Sequence, residues 1–97
     1  MAFKAGNTIA LYGAFYKGNT RITDLSPYTI KCRLSTLERR LIATLDERVE
    51  TAEDGSVCVI LNPEDTKNLK GRVLYTFALM EGENSICEIT KDFDIYE

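Results

Sequence analysis

The chain has no histidine and no tryptophan, and among its 97 residues it has only two prolines and three cysteines. Without histidine it lacks the commonest general base, the commonest metal ligand, and the base half of Ser–His and Cys–His nucleophile pairs. It also lacks Gly-x-Ser-x-Gly, Walker A and Gly-x-Gly-x-x-Gly patterns, so no nucleophile elbow or phosphate cradle is predicted. An odd number of cysteines does not suggest the disulfide framework of a secreted mini-domain, and a reducing compartment is the better expectation. Positive charge is scarce: 12 Lys and Arg stand against 15 Asp and Glu, for a net charge of −3. That balance supplies neither the basic footprint that releases counterions from nucleic acid nor a polybasic membrane patch, so neither partner is expected. No apolar run approaches the roughly twenty residues a membrane span needs. The opening residues, Met1 to Asn7, have no apolar stretch of the kind found in a secretory leader.

What remains is ordinary globular composition, 44% hydrophobic and 28% charged, in a length that predicts one domain over 1–97. A chain of this size can bury a core without staples. The stretch that organises it runs from Asn62 to Gly71, between the apolar runs Val57 to Leu61 and Val73 to Met80. Asn62 suits an N-cap, and Pro63 suits the first helical position, where a missing N–H costs nothing. Glu64 and Asp65 complement the positive end of the turn, and Gly71 can take the left-handed conformation that ends it. A short helical turn over 63–69 is therefore predicted, with Leu69 as an inward plug and the whole segment as a crossover between two sheets.

Most of the rest reads as strands. From Thr8 to Tyr16, Ile9, Leu11, Gly13 and Phe15 alternate with Thr8, Ala10, Tyr12, Ala14 and Tyr16. A short strand is predicted at Arg21–Thr23. From Tyr28 to Ser35, Tyr28, Ile30, Cys32 and Leu34 face the core, while Thr29, Lys31, Arg33 and Ser35 face water. Leu37 to Val49 admits two readings. Leu37, Leu41, Leu45 and Val49 recur at helical spacing, with Ser35 and Glu38 as a capping box. Alternatively, strands at Arg40–Leu45 and Arg48–Ala52 lead into an Ala52–Gly55 turn, which agrees better with the neighbouring strand signals. Ser56 to Leu61 is apolar on both faces and is predicted to be central and covered on both sides. Arg72–Met80 and Ser85–Tyr96 form a hairpin around Glu81–Asn84, with Cys87, Ile89, Phe93 and Ile95 inward. The fold class is all-β: an immunoglobulin-like antiparallel sandwich of about seven strands.

Three constellations carry possible chemistry. Cys32, Cys58 and Cys87 lie on different strands and can all pack inward as small hydrophobes. The Cys32–Cys87 separation resembles the inter-sheet disulfide of antibody domains, but no tryptophan is available to pack on it and no tyrosine lies two residues before Cys87, so core thiols are expected. Asp92, Asp94 and Glu97 read as the solvated face of an edge strand rather than calcium ligands, which need six or more oxygens from a shaped loop. Tyr12 and Tyr16, flanking Ala14 on an outward face, are either ordinary strand residues or a subunit interface. Tyr12, Ala14 and Tyr16 are the candidate interface residues; no catalytic, cofactor or metal site is expected.

Gly55-Ser56-Val57-Cys58-Val59-Ile60-Leu61-Asn62-Pro63-Glu64-Asp65-Thr66, with Leu69 and Gly71, resembles a glycine, alternating-valine, Leu-Thr-Pro-Glu-Asp-Thr, leucine, glycine pattern. That pattern belongs to the small immunoglobulin-like modules of tailed-phage and prophage structural proteins, such as the N-terminal domain of baseplate upper proteins. Gly6-Asn7-Thr8, the turn Lys17-Gly18-Asn19 and Ile22-Thr23-Asp24-Leu25 are similar to other parts of that module. The resemblance implies a non-enzymatic structural or assembly protein of a tail or baseplate. Such a protein needs no cofactor and works through contacts with itself, as a homo-oligomer, and with other particle proteins. It would be found in the virion, or in the bacterial cytoplasm during assembly. The alternative is a bacterial surface or secreted sandwich module that binds protein or glycan.

Overall fold

The structure is a computed structural model, and it describes residues 2–97. Alternating apolar residues fold into ten strands: β1 Ala2–Lys4, β2 Ile9–Ala14, β3 Tyr16–Lys17, β4 Thr20–Arg21, β5 Thr29–Ser35, β6 Leu41–Thr44, β7 Glu50–Thr51, β8 Ser56–Leu61, β9 Gly71–Glu81 and β10 Asn84–Tyr96. Two short helical pieces interrupt them, a 3₁₀ turn at Asp46–Arg48 and α1 at Pro63–Thr66. The strands form a five-stranded sheet, β1-β10-β9-β5-β6, and a three-stranded sheet, β2-β8-β7, with β3 and β4 as a separate hairpin. Every pairing is antiparallel except that of β1 with the end of β10. The chain changes sheet between β1 and β2, β2 and β5, β6 and β7, and β8 and β9, and the two sheets reproduce the B-E-D and G-F-C order of an immunoglobulin-type sandwich. No helix among the described residues is long and apolar enough to cross a membrane.

The core lies between the inner faces. Ile9, Leu11, Val57, Val59 and Leu61 come from the small sheet, and Leu34, Phe77, Leu79 and Phe93 from the large one. Tyr75 meets Phe77 edge-on at 6.0 Å and Phe93 at 5.9 Å between ring centroids, geometries that suit aromatic quadrupoles. At Gly13 the two sheets approach closely. A Cβ there would lie 2.5 Å from Ile89 Cδ1 and 3.0 Å from the Phe77 ring. Gly55 is held more rigidly still. It turns β7 into β8 with φ +86°, and a Cβ would overlap the Ile22 carbonyl and lie 2.7 Å from Thr23 Cα.

The crossover after β8 does more than change sheet. The Asp65 carboxylate accepts the Asn62 N–H at 2.7 Å, closing the start of α1. Thr66, fully buried, donates its hydroxyl to the Asn7 carbonyl at 2.8 Å and accepts the Gly6 N–H at 3.1 Å. The turn between β1 and β2 is thereby pinned to α1, and Leu69 closes the core beneath it.

Several expectations need correction. The helical turn spans 63–66, not 63–69: Lys67 caps it, and Gly71 instead opens β9. The short strand near Arg21 is Thr20–Arg21, because it pairs with Tyr16–Lys17 in a tight hairpin. Of the two readings for Leu37–Val49, the strands are found. Leu37 and Leu41 are exposed, so the spacing of four marks no buried helical face. β8 is central in its sheet but covered on one side only: Val57, Val59 and Leu61 are buried, while Ile60 on the other face is 39% exposed. Cys58 shares that outer face, so it does not pack inward as expected.

Candidate functional site

The outer face of the small sheet carries two exposed large apolar side chains, Tyr12 and Ile60, on neighbouring strands; Leu41, Ile42, Ile86 and Tyr96 are exposed elsewhere, on the large sheet. Pairing sets Ala10 opposite Ile60, Tyr12 opposite Cys58 and Ala14 opposite Ser56; on the far side Cys58 pairs with Glu50. Because strand neighbours alternate, these residues share one surface while Leu11, Val57 and Val59 fill the core. Tyr12 is 60% exposed and stands beside a shallow depression of about 170 Å³, walled by Glu50, Ala52, Ser56 and Cys58.

Of the three residues nominated from sequence, Tyr12 and Ala14 lie on this face. Tyr16 does not follow them on β2. The strand breaks at the buried Phe15, and Tyr16 begins the β3–β4 hairpin, its carbonyl 3.7 Å from Cys87 Sγ on β10. Ile60 and Cys58 belong to the face yet were not nominated. The cue is the unbroken apolar run of β8, which in sequence alone reads as cover on both sides.

The large sheet's outer face differs. β9 puts Leu74, Thr76 and Ala78 along its middle. Lys31 and Arg33 on β5 flank it on one side, and Glu88, Thr90 and Asp92 on β10 flank it on the other. Lys31, Ala78 and Glu88 occupy one row; Arg33, Thr76 and Thr90 the next; Ser35, Leu74 and Asp92 the third. Thr76 and Thr90 hydroxyls are 3.0 Å apart. One row further, Arg72 donates to Asp94 at 3.1 Å, and that bond holds the Asp94 carboxyl below the usual carboxylate range.

Two other features belong on the same map. An opening of about 550 Å³ is lined by Tyr28, Ile30 and Val49 among others, with Asp24, Asp46 and Glu53 also present. Two of its acids already have partners: Asp24 accepts from both the N–H and the hydroxyl of Ser26, which lowers its pKa, and Asp46 accepts the Cys32 N–H at 2.9 Å. Among the described residues no three Cys, Asp or Glu side chains converge to hold a metal ion. The edge strand β6 exposes Leu41 and Ile42, next to Leu37 in the β5–β6 turn.

Beside Ile60, Arg48 grips Asp65 with two bonds, 3.1 and 2.8 Å long, and also donates to the Ile60 carbonyl. The two bonds lower the Asp65 pKa and raise that of Arg48. This pair fixes the end of β8, and with it Ile60, against α1. The three cysteines are free thiols. Cys32 and Cys87 lie in the same sheet with β9 between them, so an inter-sheet bridge is impossible for them. Burial, with Asp46 adding to it, pushes the Cys32 thiol up to about 12, which makes it unreactive. Cys58, half-buried, lies among the outer-face residues.

No protein-family model matches this chain, and no curated protein does.

Proposed function

We propose that the chain is a non-enzymatic assembly module that docks another protein on the outer face of its three-stranded sheet, as a structural protein of a tailed-phage or prophage particle. One observation carries the docking: Tyr12, Ile60, Cys58, Ala10 and Ala14 make a connected apolar surface that no strand or helix among the described residues covers. An amphipathic aromatic at the centre of small and aliphatic neighbours is the composition of an interface core. The place in a particle rests on the likeness of residues 55–71 to the phage modules. In this structure that stretch is the frame of the face: β8 supplies Cys58 and Ile60, and α1 with Asp65 and Thr66 locks the end of β8 in position.

The test is binding of the purified chain to the proteins encoded beside its gene, by surface plasmon resonance. A structural protein from a tail or head cluster is expected to bind wild type and to lose at least about tenfold affinity when Tyr12→Ala and Ile60→Ala are combined. A gene outside any phage or prophage region, or no affinity for any encoded neighbour, contradicts the reading. A second reading, a surface or secreted module for protein or glycan, is favoured by one feature: Glu50 beside the exposed Tyr12 ring in the same depression offers a carboxylate and a stacking face together. Binding to an immobilised glycan that is lost with Glu50→Gln selects that alternative.

A further inference from the structure

We propose that two copies of this chain associate face to face through the outer surface of β5, β9 and β10, about a two-fold axis that runs along β9. This deepens the assembly reading by naming one partner, a second copy, on the face opposite the one used above. The argument starts from charges without partners. Lys31, Arg33, Glu88 and Asp92 make no ion pair with any described residue, whereas Arg72 and Asp94, on neighbouring strands of the same face, do. The reason is spacing. β9 stands between the basic strand and the acidic one, which puts the two columns roughly 10 Å apart, two strand spacings.

A two-fold axis along β9 removes that separation, because an isologous contact lays β10 of one copy over β5 of the other. Lys31 then faces Glu88 of the second copy, since both flank Ala78 in one row. Arg33 lies diagonally across from Asp92 of the second copy, a step of about 7 Å that a long side chain spans. Ala78, Thr76 and Leu74 lie along the axis; Ala78 and Leu74 are already buried within one copy, so the flanking charged side chains make most of the contact. The other in-plane axis, across the strands, sets acid on acid and base on base, so the charge pattern selects one arrangement. Three strands make a narrow strip, near the low end of specific interface sizes, so the dimer is expected to dissociate on dilution and in salt.

Sedimentation equilibrium on the full chain tests this. Wild type is expected to be a dimer in low salt and to dissociate as salt rises. Lys31→Glu with Arg33→Glu makes both columns acidic, and Glu88→Lys with Asp92→Lys makes both basic. Each variant is expected to lose self-association by about a hundredfold or more, and an equimolar mixture is expected to form a heterodimer. Circular dichroism confirms that each variant is folded. A wild-type monomer at about 1 mM, a dimer indifferent to salt or to both reversals, or a mixture that stays monomeric overturns the proposal. None of these substitutions touches the small sheet, so a monomer that still binds another protein through Tyr12 overturns this inference alone.

Discussion

On β5, the residues that point away from the core are Thr29, Lys31, Arg33 and Ser35; on β8 they are Ser56, Cys58 and Ile60. The inward residues of the two strands do the same work, packing into one core as Cys32 and Leu34 or as Val57, Val59 and Leu61. The interior therefore carries the fold, and the outer positions distinguish one sheet from the other. The large sheet presents columns of opposite charge separated by small residues. The small sheet presents an aromatic and aliphatic surface. A charged column offers a partner complementary charge, whereas exposed Tyr12 and Ile60 leave apolar area in water that a partner can bury.

The strongest way to break this comparison is to remove the frame that both faces share. Gly55→Ala adds a methyl group against the Ile22–Thr23 backbone at a left-handed φ. It is expected to cost roughly 3–5 kcal/mol by urea unfolding, the scale of strain plus overpacking, and to abolish both faces at once. Thr66→Val comes next. It strips the Asn7 carbonyl and the Gly6 N–H of their shared partner and is expected to cost roughly 1–3 kcal/mol.

The Arg48–Asp65 pair should show itself in acid. Its hydrogen bonds depress the Asp65 pKa in the folded state, so its stabilisation is present above the pKa of an unfolded aspartate. That stabilisation is lost as pH falls through the lower, folded value. Stability measured from pH 7 down is expected to decline less steeply for Asp65→Asn than for wild type. The smallest effect sharpens the comparison. Tyr12→Ala with Ile60→Ala should change stability by only about 0.5 kcal/mol per site while weakening partner binding, because both side chains lie outside the core.

How much of this was legible follows the same division. The alternation of β5 identified which residues point inward: Cys32 and Leu34 are buried and Tyr28 and Ile30 pack half-buried against the core, while the charged Lys31 and Arg33 mark the outer row. β8 misled because a strand face left bare for a partner has the same composition as one covered by the chain itself. Periodicity reports apolarity and cannot report what supplies the cover. Tyr12 and Ala14 were legible as an outward pair; Tyr16 was separated from them by a strand break at Phe15, which keeps the alternation intact in sequence while ending it in the sheet. The crossover at Asn62–Gly71 was visible through its Asn-Pro start. The role of Thr66 was not, since its partners lie about sixty positions away at Gly6 and Asn7. The charge columns needed register, since only pairing through β9 shows that Lys31 and Glu88 share a row.

The chain carries its own reporter for the central claim. Cys58 lies on the small sheet's outer face, while Cys32 is buried in the core and serves as an internal control. Alkylation of the native chain, followed residue by residue with mass spectrometry, should modify Cys58 readily and Cys32 only after unfolding. In complex with a structural protein encoded by a neighbouring gene, Cys58 is expected to react at least about tenfold more slowly than in the free chain, as burial at an interface requires. A complex that forms and leaves the Cys58 rate unchanged would contradict docking on this face.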